Sequence, residues 1–385
     1  MLHSRLRPLP RKAHPSPTQC QPTASDHTSS NDSSVPPPDF RGIGDYDDND
    51  DEDPEDLFAS FLPHLLPDDA PSFHGDPGQR LLYDSPRYGP LQIMVPSYPG
   101  QSEKRTEEIA AGWREEGSDA GAVNQVEEGR KLFAHFLWSA AMVVAEGVED
   151  AAAAEAGETV KPGKMMWSVK GHRVLELGAG AALPSIISVL SSASYVAITD
   201  HPSSPAFTGA IDFNIAANVH PPLRDRISAH PHEWGVLTDS FAQENRGRFS
   251  RIIAADCLWI KGQHENLVKT ILWFLTPPAA AANGQEQNQE QGPTDAEGKV
   301  WIVAGFHTGR AIVASFFETA QRMGLEIEDI YERDLNASEA DERAGENGEV
   351  RRAWVPVREG EGPENRKRWC VIAVLKRASS ASAAS

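Results

Sequence analysis

The chain has 385 residues, more than one compact domain usually requires, and 39% hydrophobic residues support one large core together with segments outside it. Its formal net charge of −20, from 36 Lys and Arg against 56 Asp and Glu, repels phosphates and disfavours nucleic acid as a partner. No apolar run nears the roughly 18 residues of a membrane span, and three scattered cysteines suit a reducing compartment, so we expect a cytoplasmic protein that binds no membrane.

Residues 1–56 are predicted to form a disordered, proline-rich tail that ends in an acidic block. Eight prolines fall within the first 38 positions, among Ser, Thr and Asn, and this composition buries too little apolar surface to fold. The acidic block, Asp45 to Asp56, holds nine carboxylates and no Lys or Arg. It is compatible with a solvated segment that has no binding role and with a negatively charged segment that attracts a basic substrate.

Residues 57–131 are predicted to form an N-terminal extension with one short helix and one hairpin. The apolar residues from Leu57 to Leu66 recur at helical spacing, although Pro63 interrupts them. Two apolar runs, Arg80 to Tyr83 and Leu91 to Val95, are separated by a turn that contains Pro and Gly. This pattern is typical of an antiparallel hairpin.

Strands and helices alternate over residues 132–377, which are predicted to form the main domain. An apolar helix is predicted from Leu132 to Val148. The strand Arg173 to Leu177, a glycine turn, a helix at 183–190 and a strand that ends on Asp200 form half of a parallel nucleotide-binding sheet. Further elements are predicted as helices at 207–218, 263–275 and 310–323 and as strands at 226–229, 251–255, 300–305, 326–331 and 369–375.

The expected fold class is therefore α/β, with a Rossmann-like, seven-stranded, mostly parallel sheet, helices on both faces and an antiparallel last strand. The last two predicted strands have no helix between them, which is typical of an antiparallel pair. Low-complexity inserts at 277–298 and 336–349 interrupt the domain. Residues 378–385 are predicted to be a second disordered tail.

The first candidate site is the turn Glu176-Leu-Gly-Ala-Gly180, which follows a predicted central strand. Glycines there let a ligand lie against the backbone, although a GxG turn is equally compatible with a plain tight turn. Asp200 follows Gly178 by 22 residues and ends the next strand, where a carboxylate binds ribose hydroxyls or caps a helix. Because no third glycine follows, as a pyrophosphate-binding turn requires, the pattern favours a nucleoside ligand without phosphate, such as S-adenosylmethionine.

The main domain carries five motifs in register, namely Leu137-Trp138-Ser-Ala-Ala141, Val174-Leu-Glu-Leu-Gly-Ala-Gly180-Ala-Ala-Leu-Pro184, Thr199-Asp200, His232-Glu-Trp234-Gly235 and Ala255-Asp256-Cys-Leu-Trp259. Their order resembles the seven-strand methyltransferase family 16, in particular its fungal nicotinamide N-methyltransferase-like proteins. Related family members methylate the N-terminus and a nearby lysine of a translation elongation factor. The resemblance covers roughly Leu132 to Leu375.

The resemblance implies S-adenosylmethionine as the cofactor and assigns residues to it. Trp138 would lie beside the cofactor, or else be an ordinary core aromatic. Glu176 would lie near the methionine amino group, or else be a buried carboxylate satisfied locally. The other cofactor assignments are the turn residues Gly178, Ala179 and Gly180, Asp200 at the ribose, Trp234 stacked on the adenine, and the Ala255 backbone at the adenosine.

The acceptor position of the family, an acid and an aromatic separated by two residues, here reads Asp256-Cys-Leu-Trp259. Asp256 would position an incoming amine, and Trp259 replaces the more usual Tyr or Phe. The implied activity is N-methylation of a lysine or the N-terminus of a protein by a monomeric enzyme, with a basic translation factor as a candidate substrate. The alternatives are a small amine such as nicotinamide, or a binding module that has lost turnover.

Four histidines that lie beside prolines, His201, His220, His230 and His232, are interpreted as surface side chains. No set of Cys, Asp or Glu completes a metal site with them, so no metal is expected. Cys257 is interpreted as a small buried residue at a strand end rather than as a reactive thiol.

Overall fold

A computed structural model of the chain describes residues 2–9, 73–98, 134, 136–159, 163–278, 297–337 and 341–378. The chain divides into one unit formed by Met1–Pro10 and Asp69–Ser385 and a second unit, Arg11–Asp68, which lies outside the described residues. The helix predicted from Leu57 to Leu66 and the acidic block therefore stay predictions. No helix in the described part of the chain is long and apolar enough to cross a membrane.

The described strands form one large sheet and two small ones. They are β1 (Leu6–Pro8), β2 (Phe73–His74), β3 (Arg80–Ser85), β4 (Gly89–Met94), β5 (Leu137–Trp138), β6 (Arg173–Leu177), β7 (Tyr195–Asp200), β8 (Ile227–Pro231), β9 (Arg251–Ala255), β10 (Lys299–Gly305), β11 (Leu325–Asp334), β12 (Arg351–Ala353) and β13 (Trp369–Arg377). The large sheet has the order β12-β11-β13-β10-β9-β6-β7-β8. The small sheets have the orders β1-β3-β4 and β2-β5.

The large sheet confirms the expected Rossmann-like fold class. Strands β8, β7, β6, β9 and β10 are parallel neighbours, and β13 runs antiparallel between β10 and β11. All seven predicted strands are present. The extra edge strand β12 was not predicted, because its three residues Arg351–Ala353 are short and polar and show no apolar alternation.

Helices cover both faces of the large sheet. They are α1 (Ser139–Glu155), α2 (Leu183–Leu190), α3 (Ala210–Asn218), α4 (Ser240–Glu244), α5 (His264–Phe274), α6 (Arg310–Arg322) and α7 (Pro363–Lys367). Side chains alternate along β6, so that Val174 joins the core with α1 to α3, and Leu175 and Leu177 join the core with α4 to α6. Short 3-10 turns lie at Leu2–Arg5, Lys164–Trp167, Pro205–Phe207, Pro221–Arg226 and Lys261–Gln263.

The first helix of the main domain is shifted along the chain from its predicted position. It begins at Ser139 rather than at Leu132, because Leu137–Trp138 forms β5 and pairs antiparallel with Phe73–His74. It continues to Glu155, through an alanine-rich stretch with high helix propensity. The LW motif therefore lies on a short strand directly before the helix.

The helix predicted at 207–218 also begins later, at Ala210. The preceding Gly209 has a φ of +114°, outside the helical region, and separates the helix from the 3-10 turn Pro205–Phe207. The other predicted elements of the main domain agree with the structure to within a few residues.

The N-terminal hairpin is confirmed as β3 and β4, and α3 fastens it to the main domain. The side-chain amide of Asn214 accepts a hydrogen bond from the Met94 N–H at 2.6 Å and donates one to the Met94 carbonyl at 3.0 Å. Asn218, one helical turn later, makes the same pair of bonds with Gln92 at 2.9 and 2.8 Å. The two amides therefore satisfy alternate backbone groups along β4.

Residues 2–9 correct the prediction that the whole tail is disordered. They form a 3-10 turn and then β1, which pairs antiparallel with β3. Arg5 donates a hydrogen bond at 3.0 Å to Glu149 on α1, which also accepts hydrogen bonds from the hydroxyls of Tyr83, at 2.9 Å, and Ser85. A buried carboxylate requires such partners, and local composition cannot reveal a partner so distant in sequence.

Candidate functional site

A cleft lies at the carboxyl ends of the central parallel strands β6, β7 and β9, and we call it the glycine-turn cleft. Ligands of open α/β sheets bind at this edge. Eight of the residues assigned from the sequence line the cleft, namely Trp138, Gly178, Gly180, Asp200, Trp234, Ala255, Asp256 and Trp259. Glu176 and Ala179 are not among the described residues that line it.

The glycine turn after β6 requires residues without a side chain. Gly178 has a φ of +66°, and a Cβ there would lie 2.9 Å from Cys257 Sγ and 3.2 Å from the Trp234 ring. Gly180 has a φ of +51°, and a Cβ there would meet no atom within 4 Å. Gly178 therefore permits close packing under the turn, whereas Gly180 borders open space.

Asp200 fastens the end of β7 to the glycine turn. Its Oδ2 accepts the Gly180 N–H at 2.8 Å, and its Oδ1 accepts the His201 N–H at 2.7 Å. Burial raises the pKa of this carboxyl, and the two N–H groups oppose that shift. The alternative role as a helix cap belongs to Ser204, whose hydroxyl accepts the Ala206 N–H at 3.2 Å.

Glu176 is buried beneath the turn, and its assignment to the methionine amino group of the cofactor stays a prediction. Its residue is 2% exposed, and the alternation along β6 directs it towards α2. There its Oε2 accepts hydrogen bonds from the Ser185 N–H at 3.0 Å and from the Ser185 hydroxyl. Burial raises the pKa of Glu176 to about 8, against the effect of these hydrogen bonds. The carboxyl therefore has local partners at the first turn of α2.

Ala179 lies between the two glycines and is buried. Its N–H donates a hydrogen bond at 3.0 Å to the Thr199 carbonyl at the end of β7. This bond joins the glycine turn to β7, and the assignment of Ala179 to the cofactor stays a prediction.

Trp234 lines the cleft beside the glycine turn, and its neighbour Gly235 sets its position. Gly235 has a φ of +86°, and its N–H donates a hydrogen bond at 2.8 Å to Thr270 Oγ1 on α5. A Cβ on Gly235 would lie 2.7 Å from Asn266 Oδ1. Only glycine permits this close approach to α5, which holds the indole at the cleft.

Asp256 follows β9 directly and has a left-handed backbone, with a φ of +54°. Its Oδ1 accepts the Gly305 N–H at 2.7 Å, and its carboxyl also accepts a hydrogen bond from the Ala140 N–H in the first turn of α1. His307 Nδ1 lies 4.0 Å from Oδ1. Burial raises the pKa of Asp256, while the charge of His307 and the two N–H groups act in the opposite direction.

Three rings, those of His307, Phe136 and Phe73, contact Trp138 at the cleft. The indole stacks on His307, with centroids 4.6 Å apart and planes at 26°. Phe136 meets its edge at 6.1 Å, and Phe73 from β2 at 5.6 Å. Sequence reasoning missed Phe73, Phe136 and His307. The only available signal for His307 was its position two residues after β10, since Asp256 holds a similar place after β9.

The structure describes all four histidines and Cys257, with His220 exposed and His201 and His230 partly buried. His232 is buried rather than exposed, because its Nδ1 lies 2.9 Å from Asp239 Oδ2 and its ring packs against Phe241 and Phe274. Cys257 is buried as predicted, and its Sγ donates to the Leu177 carbonyl at 3.1 Å. The described residues include no group of three or more His, Cys, Asp or Glu side chains arranged to hold a metal ion.

Comparisons with known proteins agree with this architecture. Residues 119–291 match a family model described as lysine methyltransferase, which confirms the predicted resemblance to family 16. Protein N-terminal and lysine N-methyltransferase EFM7 of Cryptococcus neoformans is 34% identical over 109 residues, which cover 28% of this chain and 36% of that protein. The chain is related to the protein lysine and N-terminal methyltransferases. The matched segment contains β5 to β9, and with them every residue that we assigned to the site.

Two other relatives align over longer segments. The EFM7 protein of Gibberella zeae is 28% identical over 215 residues, which cover 53% of this chain and 70% of that protein. Protein-lysine methyltransferase METTL21E of mouse is 27% identical over 151 residues, which cover 39% of this chain and 55% of that protein. The chain thus spans about a third of the first relative and more than half of these two.

The solved structures to which the chain is similar include a putative S-adenosylmethionine dependent methyltransferase from Listeria monocytogenes. It is 10% identical, the match covers 60% of this chain and 100% of that chain, and the TM-score is 0.35.

Proposed function

We propose that the chain is an S-adenosylmethionine-dependent N-methyltransferase that transfers a methyl group to an amine of a protein, either a lysine side chain or an N-terminus. The observation that carries the proposal is the hydrogen bond between Gly180 and Asp200. This bond joins the glycine turn to a carboxylate at the same sheet edge, beside the open space at Gly180. Carboxylates at this position of such sheets accept ribose hydroxyls, and both residues lie in the segment that matches the lysine methyltransferase family.

The lining residues fit the cofactor chemically. A nucleoside with an amino-acid tail needs close approach to backbone, acceptors for ribose hydroxyls and a flat surface for its base. Gly180 supplies the first, because a Cβ there would meet nothing within 4 Å. Asp200 supplies the second and the half-buried Trp234 ring the third. When bound, the cofactor supplies a methyl group on a positively charged sulfur.

The acceptor side of the cleft is formed by Asp256, Trp138 and Trp259. Two indole faces and one carboxyl suit an approaching amine, which is attracted both as a cation over an aromatic ring and as a hydrogen-bond donor. Alignment of the amine with the methyl group and exclusion of water then supply most of the acceleration, so no strong base is required. A cytoplasmic location, a monomeric state and a translation factor as substrate belong to the same proposal.

Calorimetric titration of the full chain with S-adenosylmethionine tests the cofactor site. We expect binding by the wild type and its loss in Gly178→Arg, which fills the turn, and in Asp200→Ala, which removes the ribose acceptor. Matched controls are Gly362→Arg, where a side chain would enter open space, and Asp225→Ala, which removes an exposed carboxylate. Absence of heat with the wild type would contradict the proposal.

Transfer of a labelled methyl group from the cofactor tests the acceptor. The wild-type chain is incubated with a fungal lysate, with purified translation elongation factor and with nicotinamide, each alongside Gly178→Arg. We expect label in a polypeptide, on lysine or the N-terminal amine after digestion. Label in nicotinamide alone would show that the acceptor is a small amine rather than a protein. Label in none of the three samples would indicate a binding module without turnover.

A further inference from the structure

A second cavity adjoins the glycine-turn cleft, and Asp256 lines both. Its walls include the first turn of α1 at Ser139 and Ala140, the segment after β10 at Phe306 and His307, and Lys367 on α7. His307 stacks on Trp138, which lines the cleft itself. Asp256 therefore lies where the two spaces meet, and His307, which lines the second cavity, reaches the cleft wall through its contact with Trp138.

Gly305 allows the two side chains to approach each other. Its N–H donates to Asp256 Oδ1 at 2.7 Å. A Cβ on Gly305 would lie 3.1 Å from His307 Nδ1 and 3.6 Å from Asp256 Oδ1, so the imidazole folds over the position that a side chain would fill. The backbone thus orients the carboxylate and makes room for the imidazole beside it.

The backbone of Asp256 supports a functional role for this pair. A left-handed backbone is uncommon for a residue other than glycine, and such conformations cluster at functional sites. The side chain of Asp256 is only 4% exposed and that of His307 is 17% exposed, so the carboxylate is sheltered and the imidazole remains reachable. The 4.0 Å between them is close enough to shorten on substrate binding, as often occurs at catalytic pairs.

We propose that His307 accepts the proton of the substrate amine and that Asp256 positions its imidazole and balances the charge that it gains. The inference deepens the proposed function and rests on it. A lysine or N-terminal amine arrives as an ammonium group, whose nitrogen has no free electron pair. One proton moves from that nitrogen to His307 and then to solvent.

The reaction balances with this single proton. The freed nitrogen lone pair forms the new N–C bond, and the electron pair of the broken C–S bond stays on sulfur, which becomes neutral. The product is a methylated ammonium group, and each methyl transfer releases one proton. The other titratable groups that line the second cavity are Lys367 and Cys370, and burial raises the pKa of Cys370 far above neutrality. Among the described residues that line this cavity, His307 carries the only imidazole, and a neutral imidazole has one ring nitrogen that can accept a proton.

The first test is independent of turnover and follows the Asp256 carboxyl by carbon NMR, with its signal assigned by loss in Asp256→Asn. Because the charge of His307 stabilises the ionised carboxyl, we expect the Asp256 titration midpoint to rise in His307→Gln. The matched control is His220→Gln, which alters an exposed histidine. An unchanged midpoint in His307→Gln would overturn the pairing.

The second test measures the rate of methylation against pH, with the polypeptide that the wild type labels as the probe. We expect His307→Gln to lower kcat roughly 100-fold near neutral pH and much less at high pH, where the amine loses its proton unaided. His307→Gln should bind the cofactor as tightly as the wild type, and the control His220→Gln should methylate at the wild-type rate. An equal loss at every pH would overturn the role of His307 alone. If the wild type labels no amine, the proposed function itself fails.

Discussion

The backbone N–H of Gly180 donates a hydrogen bond of 2.8 Å to Asp200 Oδ2 and joins the turn after β6 to the end of β7. The carboxylate accepts a second N–H from His201 through its other oxygen. The Ser204 hydroxyl makes a third hydrogen bond to this carboxylate, so one of its four lone pairs remains for a hydroxyl of a ligand.

Asp200→Asn should weaken cofactor binding without unfolding the chain. The amide keeps one acceptor oxygen but turns an NH₂ group towards either Gly180 or His201, both of which donate. We expect the loss of one or two hydrogen bonds and an affinity roughly 10- to 100-fold lower by calorimetry. The same substitution at the exposed Asp225 is the control. Wild-type affinity in Asp200→Asn would show that this carboxylate does not contact the ligand.

Gly235→Ala should destabilise the fold and displace Trp234. The new Cβ would lie 2.7 Å from Asn266 Oδ1, and the φ of +86° is unfavourable for alanine. We expect a loss of about 1–3 kcal/mol in urea unfolding, together with changed fluorescence of the indole. Adding Asn266→Ala should recover only part of the loss, because it removes the steric clash but not the backbone strain. Full recovery would show that the φ angle contributes nothing.

Glu176→Gln should change how stability depends on pH. Burial raises the pKa of this carboxyl from 4.5 to about 8, so the folded state holds a proton that the unfolded state releases. Its stabilising contribution is complete below about pH 4.5 and is lost as the pH rises towards 8. We therefore expect Glu176→Gln to gain stability relative to the wild type over this interval, as measured by urea unfolding at several pH values. Glu326→Gln, at an exposed position, should show no such trend.

Arg5→Met should destabilise the chain although it lies near the N-terminus. Arg5 pairs with Glu149 and its side chain is 19% exposed, whereas Arg7 pairs with Asp84 and is 62% exposed. Removal of Arg5 leaves a buried carboxylate with fewer partners, so we expect a loss of about 1–3 kcal/mol in urea unfolding. Arg7→Met should change stability by less than about 1 kcal/mol. Equal effects would show that Glu149 is satisfied by Tyr83 and Ser85 alone.

The role of the acidic block requires substitution rather than deletion, because removing residues 1–56 would also remove Arg5. The nine carboxylates from Asp45 to Asp56 can be replaced by their amides. We expect the rate of methylation and its salt dependence to stay unchanged, as for a solvating stretch. A slower rate at low salt would instead identify an electrostatic lure for a basic substrate, since such attraction is screened by salt.

The central fold and much of the site were predictable, because both follow from local patterns. Continuous apolar runs identify buried parallel strands, and the ends of those strands locate Gly178, Asp200 and Asp256 at one sheet edge. The local partner of Glu176 was less predictable. Alternation along β6 directs its side chain to the α2 face, where Ser185 provides two donors, and a motif match carries no information on side-chain direction.

The residues that sequence reasoning missed depend on contacts between distant segments. His307 reaches Trp138 only through the docking of β10 beside β9 and of α1 above them. Arg5 lies in a proline-rich segment, and its partner Glu149 follows 144 residues later. Neither His307 nor Arg5 belongs to a periodic sequence pattern, because the role of each depends on a contact with a residue far away in the chain.

The two asparagines on α3 cover one edge of the small sheet that contains β4. Among the described residues β4 has one neighbouring strand, β3, and its other edge would offer unpaired amides and carbonyls to any extended chain. Asn214 and Asn218 pair with that edge at Met94 and Gln92. A helix thereby takes the place of a missing strand, and the small sheet presents no open template there on which a second copy could polymerise.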